Sequence, residues 1–146
     1  MKKADFYILA GTDIDARQHF LGKLLQRILS ADHQVYLYCA DQYSAEKTSE
    51  LLWQFQPTSF LANKLVTDEI DAPITIGWPQ NHQAPHRDVI VNLSEHTPLG
   101  ADTFERIAEI VIQQPQALEN SRTRYKEYRK NGFQIQHNDM RPRTQN

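Results

Sequence analysis

The sequence predicts an α/β fold, a single domain with a mostly parallel or mixed sheet flanked by helices. Short apolar segments rich in β-branched and aromatic residues alternate with longer amphipathic segments along the first third of the chain. This alternation of strand and helix favours parallel pairing of the strands. The chain has 146 residues, which suffice for one hydrophobic core and are too few for two ordinary domains.

The first third of the chain contains the predicted strand–helix–strand–helix unit. Leu21, Leu24, Leu25 and Ile28 recur at helical spacing and form one apolar stripe. The residues on either side of this helix are short apolar runs of the kind that form buried strands. The four elements are a strand at 4–10, a helix at 15–29, a strand at 34–40 and a helix at 44–55.

The rest of the chain adds two strands, two helices and a polar tail, after a loop or short extended piece at 59–62. The predicted elements are strands at 73–78 and 88–93, a helix from 102 or 103 to about 112, and a helix at 116–130. Pro115 separates the two helices, because proline cannot continue a helix. Residues 134–146 are polar and have little to bury, so we expect the domain to span 1–133 and the tail to fray.

Membrane insertion and secretion are not expected. No apolar run approaches the roughly 18 residues of a membrane span, and the first residues lack a secretion signal. The single cysteine, Cys39, can form neither an internal disulfide nor a cysteine metal cage, which agrees with a reducing compartment. We therefore expect a cytoplasmic protein.

Charge is distributed unevenly along the chain, although the net charge is only −2. Residues 121–143 contain seven of the 16 basic residues and two of the 18 acidic ones, a net +5 against −7 for the remainder. A basic patch on an acidic body attracts a negatively charged ligand to one place. It argues against broad coating of nucleic acid, which requires a basic surface.

The sequence contains no signature of a cofactor, metal or catalytic site. The turn at residues 10–14 has neither the three-glycine fingerprint nor a phosphate-binding loop, and its aspartates would repel phosphate. His82 and His86 are four residues apart, but Pro85 lies between them and no further ligand is evident, so a solvent-exposed pair is the better interpretation. We expect no metal and no cofactor, and the sequence contains no recognisable catalytic motif, although an unrecognised small α/β enzyme stays open as an alternative at this point.

Three aspartates, Asp13, Asp41 and Asp88, lie near strand ends, where α/β enzymes place catalytic groups. Turn and helix-capping roles explain them equally well. Both interpretations stay open at the level of sequence.

Aromatic residues near the end of the second helix raise the question of an interface. Trp53, Phe55 and Phe60 could all be buried in the core. For Trp53, which lies on a predicted helix, burial is at least as good an interpretation as exposure. Phe60 follows Pro57 in irregular chain, and a ring in such a loop is often an interface anchor.

The segment from Ser121 to Phe133 combines basic and aromatic residues at helical spacing. Arg122, Tyr125, Lys126 and Arg129 fall on neighbouring turns of one face, and Gly132 is the expected helix stop. Most such charge runs are simply solvated faces. The interleaved tyrosines favour instead a peptide that ends in an aromatic ring and a carboxylate. The alternative is direct binding of single-stranded nucleic acid by the same helix.

Six segments, taken in order, together resemble the chi subunit family of bacterial DNA polymerase III. They are Ala4-Asp-Phe-Tyr-Ile-Leu9, Glu50-Leu-Leu-Trp53, Ser59-Phe60, Ile76-Gly-Trp-Pro79, Arg87-Asp88 and Arg124-Tyr-Lys-Glu-Tyr-Arg-Lys-Asn-Gly-Phe133. The resemblance extends over residues 3–133. It implies a Rossmann-like fold and a non-catalytic subunit of the clamp-loader assembly, acting in DNA replication.

The resemblance also implies two protein partners. One is the acidic C-terminal tail of the single-stranded DNA-binding protein, which ends in Pro-Phe; its site maps to Arg122, Tyr125 and Lys126, and spacing adds Arg129. The other is the psi subunit, whose contact maps to Phe60 with Trp53 nearby, a surface that some helicases share. DNA would then be contacted only indirectly.

The sequence departs from the family pattern at two places. Gln114 stands where an apolar residue of the tail pocket is expected, in a short segment between the last two helices, and Leu61-Ala62 replaces Pro-His after Phe60.

Overall fold

The computed structural model describes residues 2–54 and 61–142, and its strands form one parallel sheet. The seven strands are β1 (Lys3–Ile8), β2 (Val35–Tyr38), β3 (Asn63–Leu65), β4 (Ile74–Gly77), β5 (Val89–Asn92), β6 (Arg106–Val111) and β7 (Gln134–Asp139). Their order in the sheet is β3-β4-β2-β5-β6-β1-β7. The helices in the described residues are α1 (Ile14–Ser30), α2 (Gln42–Trp53), α3 (Pro115–Lys130) and one 3-10 turn at Ala101–Thr103. The predicted α/β class is confirmed, and the sheet is wholly parallel in these residues.

The helices cover opposite faces of the sheet. The connections through α1 and α2 both progress toward β3, whereas the connection through α3 progresses toward β7. Because such crossovers are right-handed, α3 must lie on the face opposite to α1 and α2. Two separate hydrophobic clusters agree, one containing Leu21, Leu25 and Leu52 and the other containing Phe6 and Tyr128.

The aspartates at strand ends have structural roles. Asp13 accepts a hydrogen bond from the Ala16 amide at 3.0 Å and Asp41 accepts one from the Ser44 amide at 2.7 Å, so they cap α1 and α2. Asp88 accepts a hydrogen bond from the Gln34 amide at 2.9 Å. The capping interpretation is therefore correct for the first two, and Asp88 braces the turn before β2.

The predicted helix from 102 or 103 to 112 is wrong. The structure has the 3-10 turn there, followed by strand β6 between β5 and β1. Ile107, Ile110 and Val111 are spaced as on a helix, but the whole run from Ile107 to Val111 is buried. A central strand buried on both faces has a continuous apolar run, which periodicity alone does not separate from a buried helix.

The predicted fraying of residues 134–146 is wrong for Gln134–Asp139, which form β7. This strand pairs with β1 in parallel, with Lys3 opposite Gln134 and Ile8 opposite Asp139. It lies at the edge of the sheet and is mostly exposed, so its sequence is polar and carries little hydrophobic signal. Backbone pairing, rather than burial, holds this segment.

No described helix is long and apolar enough to cross a membrane.

Phe60 and Phe55 lie outside the described residues. Cys39 is buried directly after β2.

Candidate functional site

Helix α3 presents two chemically different faces. Arg122, Lys126 and Arg129 are exposed and Tyr125 is half-buried, as the helical spacing predicts. Arg124 and Tyr128, only 7% and 1% exposed, point into the protein. The four residues predicted from the sequence to bind a partner therefore share the outward side of the helix.

The C-terminus of α3 is fixed by a glycine turn. Gly132 has a φ of 87°, the left-handed conformation that glycine adopts without strain. The Phe133 amide donates to the Tyr128 carbonyl at 3.0 Å, and the Gly132 amide donates to the Arg129 carbonyl at 3.1 Å. This pair of bonds is a Schellman motif, and the Phe133 ring contacts the Tyr128 ring as such motifs favour. The prediction that Gly132 ends the helix is confirmed.

A buried carboxylate on β6 anchors the inward side of α3. Glu109, 2% exposed, accepts hydrogen bonds from Arg124 Nε at 2.9 Å and from the Tyr128 hydroxyl at 2.6 Å. Asn92 at the end of β5 donates to the same carboxylate at 2.9 Å. Arg124 Nη1 also donates to the Glu95 carbonyl at 2.7 Å. These bonds join α3 to two central strands of the sheet.

Burial dominates the electrostatics of this cluster. Desolvation raises the pKa of the Glu109 carboxyl, and the Arg124 guanidinium beside it opposes that rise. Burial and the neighbouring carboxylate raise the pKa of the Tyr128 hydroxyl, which stays protonated and donates. The polar side chains of the cluster are hydrogen-bonded to one another. Removing one partner would therefore leave a buried polar group without a hydrogen bond in apolar surroundings.

Sequence reasoning missed Glu109 and the inward role of Arg124. The available signal was a single acidic residue within an otherwise apolar run from Ile107 to Ile112. An isolated carboxylate in a buried segment requires a buried donor, and the helical pattern of the segment 121–133 offered Arg124.

The half-buried Tyr125 is held by aromatic neighbours from the sheet. Its ring lies edge-on to Phe6 with centroids 6.3 Å apart and edge-on to His137 of β7 with centroids 5.3 Å apart. Arg129 Nη1 donates to the Tyr125 hydroxyl at 3.4 Å. The arrangement makes an apolar wall with a cationic rim.

Ion pairing concentrates the free positive charge on α3. Arg124 is engaged by Glu109, and Arg141 pairs with Asp139 at 2.7 Å. The exposed cations of the helix, Arg122, Lys126, Arg129 and Lys130, therefore carry most of the local positive charge of the described segment.

Gln114 lies at the start of α3, away from the exposed basic residues. It is the residue before Pro115 and its side-chain amide donates to the Thr12 carbonyl at 2.6 Å. Arg122 follows eight residues later, about 12 Å along the helix axis. In this structure Gln114 ties the helix start to the turn after β1.

The second predicted surface is described only in part. Trp53, 44% exposed, ends α2, so its ring is not confined to the core. Leu51 on the same helix is 48% exposed. Phe60, the other residue of this predicted contact, lies outside the described residues.

The histidine pair is not solvent-exposed, which corrects the sequence-based interpretation. Both residues are half-buried. The Leu99 carbonyl can only accept, so His82 Nε2 donates to it at 2.6 Å, and His82 Nδ1 is hydrogen-bonded to the Tyr36 hydroxyl at 2.9 Å. Both nitrogens of His82 are thus used within the protein, and no metal-binding cluster occurs among the described residues.

The carboxyl ends of the strands, where an α/β enzyme would act, border a cavity. A cavity of about 560 Å³ lies there between α1 and α2, lined in part by Cys39, Thr48 and Arg17. Burial raises the pKa of the Cys39 thiol to about 11, so the thiol is protonated and a poor nucleophile.

Comparison with known proteins gives a consistent set of matches. Residues 1–136 match the model of the family described as DNA polymerase III chi subunit, HolC. A DNA polymerase III subunit chi of Pseudomonas aeruginosa is 29% identical over 136 residues, covering 93% of this chain and 95% of that protein. The DNA polymerase III subunit chi of Escherichia coli K12 is 28% identical over 141 residues, covering 92% and 96%.

Proposed function

The chain belongs to the DNA polymerase III chi subunit family, and on that premise we propose that it is a non-catalytic bridge within the replication machinery of the cytoplasm. Membership gives it an accessory role in DNA replication. The proposal adds its partners: the psi subunit on one surface and the acidic tail of the single-stranded DNA-binding protein on another. No catalytic residues or cofactor are expected in this role.

The exposed basic side of α3 is the observation that carries the proposal. Arg122, Tyr125, Lys126 and Arg129 lie together on the surface of a helix whose opposite side is bonded to Glu109. A site held by a packed helix loses little conformational entropy on binding. The rest of the protein is acidic, so an acidic peptide is attracted to this side alone.

Each residue has a role suited to an acidic tail that ends in Pro-Phe. Arg122 pairs with the terminal carboxylate, because a guanidinium forms two parallel hydrogen bonds to it. Tyr125 provides the apolar wall for the terminal phenylalanine. Lys126 attracts the aspartates of the tail, and Arg129 adds to that attraction.

The expected affinity is modest. Exposed ion pairs contribute about 0.2 to 1 kcal/mol each, and a few of them with one buried ring give a micromolar dissociation constant, about −8 kcal/mol. Many copies of the coating protein each present a tail, so multivalency strengthens attachment to coated DNA.

Isothermal titration calorimetry with a tail peptide tests the site. Arg122→Ala and Tyr125→Ala should each weaken binding about tenfold, as the loss of a charge-assisted hydrogen bond or of an aromatic anchor does. Arg27→Ala is the matched control, since Arg27 is exposed on α1 across the sheet, and it should bind like wild type. Unchanged binding in both α3 variants would disprove the assignment.

The psi contact is proposed at Phe60, with Trp53 in support. Exposure of Trp53 at the end of α2 is compatible with a contact there, and a helicase that uses the same surface would compete with psi. Phe60→Ala should abolish binding to purified psi while leaving tail binding intact. Loss of tail binding in this variant would mean that the two surfaces are not separate.

Direct binding to single-stranded nucleic acid is the rival function. It would use the same cations, but the body of the protein is acidic, and the affinity that phosphate contacts supply falls steeply as salt rises. A gel-shift with bare single-stranded DNA at that salt should give no complex. A complex that Arg122→Ala abolishes would favour the rival.

A further inference from the structure

Strand β7 leaves one edge of the sheet open beside helix α3. It pairs with β1 on its inner side and is the last strand in the sheet order. No described residue pairs with its outer side. The edge therefore presents unpaired backbone groups to solvent, a template on which another strand can form.

Hydrogen bonds at both ends of β7 identify which of its backbone groups are available. The Gln134 amide donates to the Lys2 carbonyl at 2.9 Å, and the Met140 amide donates to the Ile8 carbonyl at 2.8 Å. In a parallel pair the inward-bonding residues alternate along the strand, so even-numbered residues bond to β1. The amides and carbonyls of Ile135, His137 and Asp139 then face outward.

The opposite edge of the sheet is protected in a way that β7 is not. Strand β3 has only three residues and includes Lys64, and shortness and an edge lysine are devices that block pairing. Strand β7 has six residues and contains neither lysine nor proline. Its one acidic residue, Asp139, is paired with Arg141, so it does not repel an acidic strand strongly.

Helix α3 contacts this edge strand through Tyr125. Arg124 contacts Glu109 on β6, whereas Tyr125, the next residue, contacts His137 on β7. Each residue turns the helix by about 100°, so Arg129 and Arg122 lie about 40° and 60° further round than Tyr125 in the same direction, on the flank of the helix that faces past β7. A strand added to β7 would lie alongside that flank.

We propose that the acidic peptide of the preceding section binds as an extra strand along the outer edge of β7, beside helix α3. The identity of this occupant rests on the proposed function, and charge complementarity with Arg122 and Arg129, the cations on the flank of the helix nearest to this edge, supports it. Strand addition supplies main-chain hydrogen bonds, while alternate side chains of the peptide reach pockets on one face. Here that face carries Tyr125 and His137, which an aromatic terminal residue would contact.

Amide hydrogen exchange of the full chain, measured by NMR with and without tail peptide, tests the proposal. At a peptide concentration ten times the dissociation constant, the Ile135, His137 and Asp139 amides should exchange about tenfold more slowly. The reason is that the peptide is bound most of the time and these amides exchange only while it is dissociated. The Gln134, Gln136 and Asn138 amides are bonded to β1 and should change little.

A set of N-methylated peptides provides the matched control on the ligand side. Methylation of alternate amides that face β7 should weaken binding about three- to tenfold for each bond lost. Methylation of the intervening amides should have much less effect, because they point away from the protein.

The outcomes separate this proposal from the proposed function. Peptide binding with unchanged exchange at Ile135, His137 and Asp139 would overturn strand addition and leave the tail site standing. Strong protection of these amides without peptide would also overturn it, because the edge would already be covered. Absence of any peptide binding would overturn both.

Discussion

Replacement of Tyr128 by phenylalanine isolates one bond of the cluster that anchors α3. The side chain is 1% exposed, and its hydroxyl donates to Glu109 Oε2 at 2.6 Å. Tyr128→Phe removes only that hydroxyl and leaves the ring packing against Phe6 and Phe133. The variant therefore tests the hydrogen bond rather than the core.

The expected loss follows from the character of the bond. A hydrogen bond to a charged group contributes about 1.5 to 3 kcal/mol, and its loss leaves a buried acceptor less satisfied. Asn92 still donates to the same oxygen at 2.9 Å, so we expect a middle value of about 2 kcal/mol in the free energy of unfolding. With an m-value of about 2 kcal/mol/M, the urea midpoint falls by about 1 M.

Urea titration followed by circular dichroism measures this loss, and the same helix supplies a control. Tyr125→Phe removes a hydroxyl that receives only the 3.4 Å bond from exposed Arg129, so it should change stability by less than about 0.5 kcal/mol. A Tyr128→Phe loss no larger than that of the control would refute the anchoring role assigned to Glu109.

Three further predictions follow from single residues. Gly132→Ala should cost about 1 kcal/mol, because alanine at a φ of 87° is strained although the space around it is open; a urea midpoint equal to wild type would contradict this. Since burial raises the pKa of the Cys39 thiol from 9.0 to about 11, alkylation at pH 8 should be at least about tenfold slower in the native than in the unfolded protein, because the lower thiolate fraction outweighs the greater nucleophilicity of that thiolate; mass spectrometry would show this, and equal rates would refute the burial. The same pKa rise means that the free energy of unfolding should fall as pH rises from about 9 toward 11, and a Cys39→Ala variant should lose that part of the pH dependence.

The elements that were predicted correctly have a clear spacing or a clear length in the sequence. Helix α1 has apolar residues at helical spacing, whereas strand β2 is a short buried run with β-branched and aromatic residues that lies between two helical segments. Strand β6 was mistaken for a helix because its buried residues, apart from Glu109, are all apolar, so that it lacks the alternation of a half-buried strand. Strand β7 was missed for the opposite reason, since an edge strand has little to bury and backbone pairing leaves no hydrophobic pattern.

As with the fold, only part of the candidate site could be predicted from the sequence. Spacing alone placed Arg122, Tyr125, Lys126 and Arg129 on one side of α3, and the structure agrees. The charge sum over residues 121–143 counted Arg124 as a free charge, because its partner Glu109 lies on a different element, strand β6. A local pattern cannot reveal a nonlocal ion pair, and the identity of the partner protein came from family resemblance rather than from spacing.

The central claim is that two separate surfaces bridge two partners, and size-exclusion chromatography of the purified proteins tests it most directly. Wild type mixed with psi and the single-stranded DNA-binding protein, each loaded well above the micromolar dissociation constant expected for the tail, should elute as one complex containing all three. Arg122→Ala should lose the DNA-binding protein and keep psi, whereas Phe60→Ala should lose psi and keep the DNA-binding protein. Loss of the same partner from both variants, or of neither, would contradict the bridge.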